Sequence, residues 1–233
     1  MKRAASPSEN EAVAQRLKKE AAAAAPMAAP ANAAAAPTPA PAKDNGDVPE
    51  GFMKLTEGSA SMLYECRAED TKTRGKGKDD GPVFYNKVQV FNRDVSVLVM
   101  ALFAQWRYIE KRERQAGADA RKAGGDGAAA AEAERARLYA LSAAELDELL
   151  REDAATGGLR VLDALAATGL RSVRYAKEVP GVKKVVSNDI EAEAAKKCQE
   201  NATSNGCESL VEAVCGDAVA HMINSRGDPY DVI

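Results

Sequence analysis

Residues 161–189, VLDALAATGLRSVRYAKEVPGVKKVVSND, restrict what this chain can fold into more than any other stretch. An apolar run leads to a turn holding Gly169, then a helical segment, a second apolar run and an acid, Asp189. Strand, helix and strand in that order form a βαβ unit with parallel strands. Twenty residues separate Gly169 from Asp189. That spacing suits a bound nucleoside, with the turn beneath one end and the carboxylate on the ribose hydroxyls. A second acid, Asp217, ends the next short apolar run, VEAVCGDA.

The alternation continues to the last residue. Strand 161–165 leads to helix 170–178, strand 183–187 to helix 191–204, and strand 210–214 to a short helix 217–224. YDVI at 230–233 opens a fourth strand. The predicted fold class is α/β and Rossmann-like, a parallel sheet with helices on both faces. Ligands of such sheets sit at the carboxyl ends of the strands, where Gly169, Asp189 and Asp217 all fall. Because the chain stops inside an apparent strand, we expect a domain truncated after about its fourth strand.

The turn Ala166-Ala167-Thr168-Gly169-Leu170-Arg171 holds one glycine. A dinucleotide needs more, because the backbone must closely approach its pyrophosphate. S-adenosylmethionine has no phosphate. It presents adenine, ribose, a sulfonium and an amino-acid end with a free carboxylate. Asp189 suits the ribose diol, and Asp217 with the Ala218 backbone suits adenine. Arg171 suits the carboxylate, which a guanidinium grips through two hydrogen bonds. Each has a plainer reading as well. Asp189 and Asp217 both fit helix caps, and Arg171 fits a surface position.

Residues 1–49 read as a disordered tail, since from Ala21 to Ala42 nearly every residue is Ala or Pro. Residues 50–233 read as the folded portion, with an insertion at about 110–157. Two short strands surround a turn at Glu57-Gly58, and Val83 to Tyr85 are extended. Lys72, Arg74, Lys76 and Lys78 lie in a polar run that is either a solvated loop or a phosphate contact. A helix is predicted from about Val95 past Tyr108, capped by Asn92 or Asp94. Its apolar face is Val95, Leu98, Val99, Leu102, Phe103 and Trp106. Gln115 to Ala136 reads as a loose insertion. Ser142 with Glu145 forms a capping box opening a short helix.

Composition limits the partners. A net charge of −3 and a pI near 5.5 argue against binding nucleic acid by overall charge alone, though not against a local basic groove. The four cysteines form no CxxC pair, and His221 is the single histidine. No metal is expected. No apolar run approaches the roughly 18 residues of a membrane span, so no membrane partner is expected. The cysteine usage points to a reduced intracellular protein. The basic start MKR and the run Arg16 to Lys19 favour the nucleus over the cytosol or an organelle.

Several strings converge on a known family. FYNKVQVFNRD (84–94), VLDALAATGLRSVRYAKEV (161–179), VVSNDI (185–190) and GDA (216–218) resemble the tRNA guanine-26 N2-dimethyltransferase family, and TEGSASM (56–62) resembles its opening strand. The resemblance implies a class I methyltransferase fold, S-adenosylmethionine as methyl donor and tRNA as partner. Carried over residue by residue, it implies that Arg93, Arg171, Asp189, Asp217 and Ala218 bind the cofactor. Tyr85 and Asp94, from the same segment as Arg93, are expected at the substrate pocket, although Asp94 fits a helix cap equally well. The family's Asp-Pro-aromatic-Gly motif, with its catalytic acid, is expected just beyond Ile233, so this fragment is expected to be inactive alone. Three alternatives stay open: the same fold acting on another substrate, a non-catalytic RNA-binding or cofactor-binding module, and a nicotinamide-dependent dehydrogenase.

Overall fold

The computed structural model describes Val48, residues 52–65 and residues 85–233. The tail at 1–49 (Val48 apart), the basic run from Lys72 to Lys78, and Val83 and Phe84 lie outside the described residues. The first described elements are β1 (Phe52–Glu57) and β2 (Ala60–Glu65), an antiparallel hairpin. Its turn falls at Gly58, whose φ of 56° is left-handed, in keeping with the turn expected at Glu57-Gly58.

A 3-10 turn at Lys87–Gln89 runs directly into α1 (Val90–Lys122), then α2 (Gly127–Tyr139) and α3 (Ala143–Gly157). Helix α1 starts five residues earlier than predicted, so Asp94 lies a full turn inside it and caps nothing. Its expected apolar face is also not the buried one. Leu98, Val99, Leu102 and Trp106 are all more than half exposed, whereas Arg93, Met100, Ala104, Tyr108 and Ile109 are buried. The helical period is genuine, but a polar residue, Arg93, joins the inward face because it has partners there.

The segment expected to be a loose insertion is a helical hairpin. Alanine is the strongest helix former, and its small side chain suits close helix packing. At Gly117 an added Cβ would lie 2.8 Å from the Gly127 carbonyl oxygen, and at Gly127 one would lie 2.6 Å from the Gly117 oxygen. The two backbones therefore touch where no side chain intervenes. Arg112–Glu134 and Arg135–Glu113 pairs join the helices along their length. The predicted capping box of α3 forms, with Ser142 and Glu145 bonding reciprocally.

The remaining elements alternate as predicted: β3 (Leu159–Asp163), α4 (Leu170–Glu178), β4 (Val182–Asp189), α5 (Ala192–Ser204), β5 (Val211–Cys215) and α6 (Ala218–Asn224). The sheet order is β3-β4-β5 and both pairings are parallel. This is a Rossmann-like α/β arrangement. Of YDVI, only Val232 pairs, as a single parallel bridge to Val161 on the free edge of β3. Val161, Leu162, Val173, Val185 and Val211 are almost completely buried. Each such side chain contributes about 1.5–3 kcal/mol through burial.

Candidate cofactor site

The carboxyl ends of β3, β4 and β5 lie side by side in the parallel sheet and floor the candidate crevice. Gly169 is the N-cap of α4 with φ 68°, and an added Cβ would lie 3.0 Å from the Cα, Cβ and Sγ of Cys198 on α5. Only glycine meets both demands, a left-handed backbone and a helix packed directly against it. The turn before it is braced from both neighbouring elements. The Ala167 N–H donates to Asp189 Oδ2 at 2.8 Å, Cys198 Sγ donates to the Ala167 carbonyl at 3.3 Å, and Asn201 Nδ2 donates to the Thr168 carbonyl at 2.8 Å. With both its backbone groups anchored, Ala167 holds a φ of 49°, which alanine rarely adopts.

Asp189 ends β4, half-buried. Its Oδ1 accepts from the Glu191 N–H at 3.1 Å while Oδ2 accepts from Ala167. A carboxylate has about four acceptor positions, so each oxygen keeps one for a ribose hydroxyl. The preceding Asn188 is buried beneath the crevice. Its Nδ2 donates to the carbonyls of Ala164 and Gly216, both at 3.1 Å, and so ties the loops after β3 and β5 together. Asp217 is the N-cap of α6, accepting from the Ala220 N–H at 2.9 Å, and Ala218 begins that helix. Capping leaves the other Asp217 oxygen free for a ligand. Three apolar side chains at these strand ends, Leu165, Ile190 and Val219, are strongly exposed. Such plates fit the faces of an adenine ring.

Arg171 lies in the first turn of α4, half-buried. Among the described residues it forms no salt bridge, and it borders the Tyr175 hydroxyl and the field of Asp163. Asp163 ends β3. Its Oδ2 accepts from the Ser172 hydroxyl at 2.8 Å, which is also 2.9 Å from Ser187 Oγ. The residue keeps some exposure, but its carboxyl end is enclosed, and burial pushes that carboxyl above its ordinary value. A guanidinium without a salt bridge among the described residues, an acceptor for ribose, polar groups after β5 and apolar plates together fit a phosphate-free nucleoside with an amino-acid tail.

Arg93, on α1, is held from one side: its Nε and Nη2 grip Glu57 Oε1 and Oε2 at 2.7 and 2.6 Å, and its guanidinium lies 5.1 Å from the centre of the Tyr85 ring. Tyr85, also assigned to the pocket, directs its hydroxyl to Glu57 Oε2 at 3.3 Å, and burial raises its phenol. Asp94 Oδ1 takes Arg174 Nη1 at 2.6 Å. Arg174 is the hub of this cluster, with further bonds to Glu57 and to both oxygens of Glu178. Sequence reasoning singled out neither Glu57, Arg174, Asn188 nor Asp163. All four stand inside the quoted motif strings, but a lone charge within a string carries no sign of what it faces.

A cleft of about 470 Å³ lies at the other end of the sheet, between α1, α3, Leu159 and Gly181. Its charges are already satisfied, Lys111 by Asp153, Arg114 by Glu110 and Arg107 by Asp231. Among the described residues no group of His, Cys, Asp and Glu could hold a metal, and no helix is long and apolar enough to cross a membrane.

Residues 64–233 match the sequence model of the family described as N2,N2-dimethylguanosine tRNA methyltransferase. The tRNA (guanine(26)-N(2))-dimethyltransferase of Caenorhabditis elegans is 40% identical over 179 residues, covering 74% of this chain and 29% of that protein. The Homo sapiens protein of the same name is 35% identical over 214 residues, covering 82% and 30%. The chain thus spans under a third of the length of these relatives. A looser likeness joins it to Trm1 from Pyrococcus horikoshii with S-adenosyl-L-methionine, at 21% identity and a TM-score of 0.42, covering 74% of this chain and 32% of that one. With the family match extending over well more than half of its residues, the chain belongs to the N2,N2-dimethylguanosine tRNA methyltransferase family.

Proposed function

We propose that the protein of which this chain is part transfers methyl groups from S-adenosylmethionine to the exocyclic N2 of guanine 26 in tRNA, giving N2,N2-dimethylguanine. One observation carries the reading on this chain: a single-glycine turn flanked by Asp189, Asp217 and Arg171, which has no ion pair among the described residues. The cofactor, when bound, supplies an electrophilic methyl group on a sulfonium. Asp189 accepts from the ribose hydroxyls, Asp217 and the Ala218 backbone meet the adenine edge, and Arg171 grips the carboxylate. Arg93 is the second cation for that end.

The guanine N2 is a weak nucleophile because its lone pair is delocalised into the ring. An acid must accept from its N–H groups and take the proton released on transfer. The amino group must also sit in line with the methyl at close range, so the base leaves its stack. Tyr85 and Asp94 belong to the wall of that pocket. The first product keeps one N–H, so a second round gives the dimethyl form. The basic tail favours the nucleus, and the related Saccharomyces cerevisiae enzyme is named as mitochondrial, so the compartment is read by imaging the tagged full-length protein.

The test uses the full-length protein, unmodified tRNA and methyl-labelled S-adenosylmethionine. Label recovered as N2,N2-dimethylguanine, and lost when guanine 26 is replaced, supports the reading. Binding of tRNA without label transfer favours a non-catalytic module, and label on another acceptor favours a different substrate.

A further inference from the structure

We propose that Glu57 positions Arg93 for the cofactor's carboxylate, holding one edge of the guanidinium so that the other edge faces the ligand. The inference rests on the cofactor reading above and adds to it a residue outside the crevice.

Glu57 ends β1 with its side chain only 4% exposed. A carboxylate so enclosed must be matched by cations or it is neutralised. Two guanidiniums match it. Arg93 closes a two-bonded fork on it through Nε and Nη2, and Arg174 Nη1 reaches Oε1 at 2.9 Å. The two arginines are used differently. Arg174 spends Nε, Nη1 and Nη2 on Glu57, Asp94 and Glu178, so no nitrogen is left without a partner. Arg93 spends only Nε and Nη2, the latter also on the Asn86 carbonyl at 3.2 Å. Its Nη1, with two N–H groups, has no hydrogen bond among the described residues, and it is not sealed from solvent as an orphaned buried atom would be.

The same cluster ties the start of α1 to α4, the helix that carries Arg171. Arg174 stands one helical turn after Arg171 on α4, and Asp94, next to Arg93, binds Arg174 directly. The hairpin turn is fastened to the same helix, with the Ser59 N–H donating to Glu178 Oε1 at 2.9 Å. Gly58 lies so close to that carboxylate that an added Cβ would be 2.3 Å from Glu178 Oε1. The start of α1 therefore cannot shift along α4 without breaking several charged bonds. A guanidinium can serve two carboxylates at once through different edges, which a lysine ammonium, with no fixed fork, does poorly.

Calorimetry on the full-length protein tests this with two ligands, S-adenosylmethionine and methylthioadenosine, which lacks the amino-acid end. Glu57→Gln should weaken S-adenosylmethionine roughly 10- to 100-fold and leave methylthioadenosine unchanged. Arg93→Lys, which keeps the charge, should do the same, and the double variant should lose little more than either single one. Equal loss for both ligands makes Glu57 merely structural and overturns the inference, as does unaltered S-adenosylmethionine affinity in either variant. Should Glu57→Gln not fold, Glu57→Asp, which keeps the charge but withdraws the fork from Arg93, decides in its place, with the same selective loss expected for S-adenosylmethionine. Wild-type protein that binds methylthioadenosine and S-adenosylmethionine equally well has no carboxylate grip to position, which also overturns the inference. Wild-type protein that binds neither removes the cofactor reading itself.

Discussion

The backbone N–H of Ala167 donates to Asp189 Oδ2 at 2.8 Å, tying the turn after β3 to the acid that ends β4. The carboxylate thus has two tasks, scaffolding the turn and facing the ribose. Asp189→Ala removes both and is expected to abolish S-adenosylmethionine binding in the full-length protein. Asp189→Asn keeps an oxygen for the Ala167 N–H but turns its NH2 toward the Glu191 N–H and loses the charge. It is expected to weaken binding by about 10- to 100-fold with a smaller drop in melting temperature than Asp189→Ala. Calorimetry paired with thermal melts separates the two, and unaltered affinity in the alanine variant would remove Asp189 from the site.

Gly169→Ala tests the turn from the other side. Its φ of 68° and the 3.0 Å approach of an added Cβ to the Cys198 backbone act together. The variant is expected to lose about 1–3 kcal/mol, read from urea unfolding, and to bind cofactor more weakly because α4 shifts with Arg171. Adding Cys198→Ala should not restore it, since the left-handed backbone and the crowding against the main chain of α5 both persist. Full restoration would mean that the thiol alone sets the limit.

The parallel sheet was legible in the sequence because local and global signals agreed there. The helix at Leu170–Glu178 lies where residues 170–178 were expected, and Gly169, Asp189 and Asp217 lie at strand ends as their spacing required. Legibility failed where tertiary partners decide. The stripe from Val95 to Trp106 has helical period, but apart from Phe103, which packs against the core, it faces outward, because Arg93 and Met100 take the inward face. A period gives a stripe without saying which stripe has something to pack on. The segment Gln115 to Ala136 read as loose because alanine and glycine offer little apolar area, yet two glycines let helices touch directly. Arg174 and Glu57 lie more than a hundred residues apart, and nothing local in either reveals the other.

Two carboxyls of the fold titrate in opposite senses. Burial raises Asp163, against the pull of the Ser172 hydroxyl and Arg171. Its contribution to stability is full below its ordinary value and is lost as pH rises through the raised one. Burial alone would raise Glu178 too, but bonds from Arg174 and the Ser59 N–H outweigh it and hold the carboxyl low. Its contribution is full above the ordinary value and is lost as pH falls through the lowered one. Melting temperature against pH is therefore expected to be higher for Asp163→Asn than for wild type near neutrality. Glu178→Gln is expected to be less stable near neutrality and to show a flatter acid limb. A less stable Asp163→Asn at neutral pH would mean that Asp163 is ionised and paired with Arg171.

Thiol reactivity gives an independent reading of the crevice. Cys198 and Cys207 are buried, and burial pushes the Cys198 thiol up to about 11. Cys215 is exposed and stands opposite Asp189 in the β4–β5 register, with its Sγ 3.6 Å from the Ile190 carbonyl. A thiol reacts as its thiolate, so burial disfavours Cys198 and Cys207 twice over, through access and through their raised thiols, while Cys215 is accessible. Brief maleimide treatment at pH 8, followed by peptide mass spectrometry, is expected to label Cys215 and to spare Cys198 and Cys207 until the protein is unfolded. Saturating S-adenosylmethionine is expected to slow Cys215 labelling severalfold, because the ribose and adenine would lie against Asp189, Ile190 and Asp217 around it. Labelling at the same rate with and without cofactor would place the nucleoside away from the ends of β4 and β5. It would count against Asp189 and Asp217 together, since Cys215 lies between them in the fold.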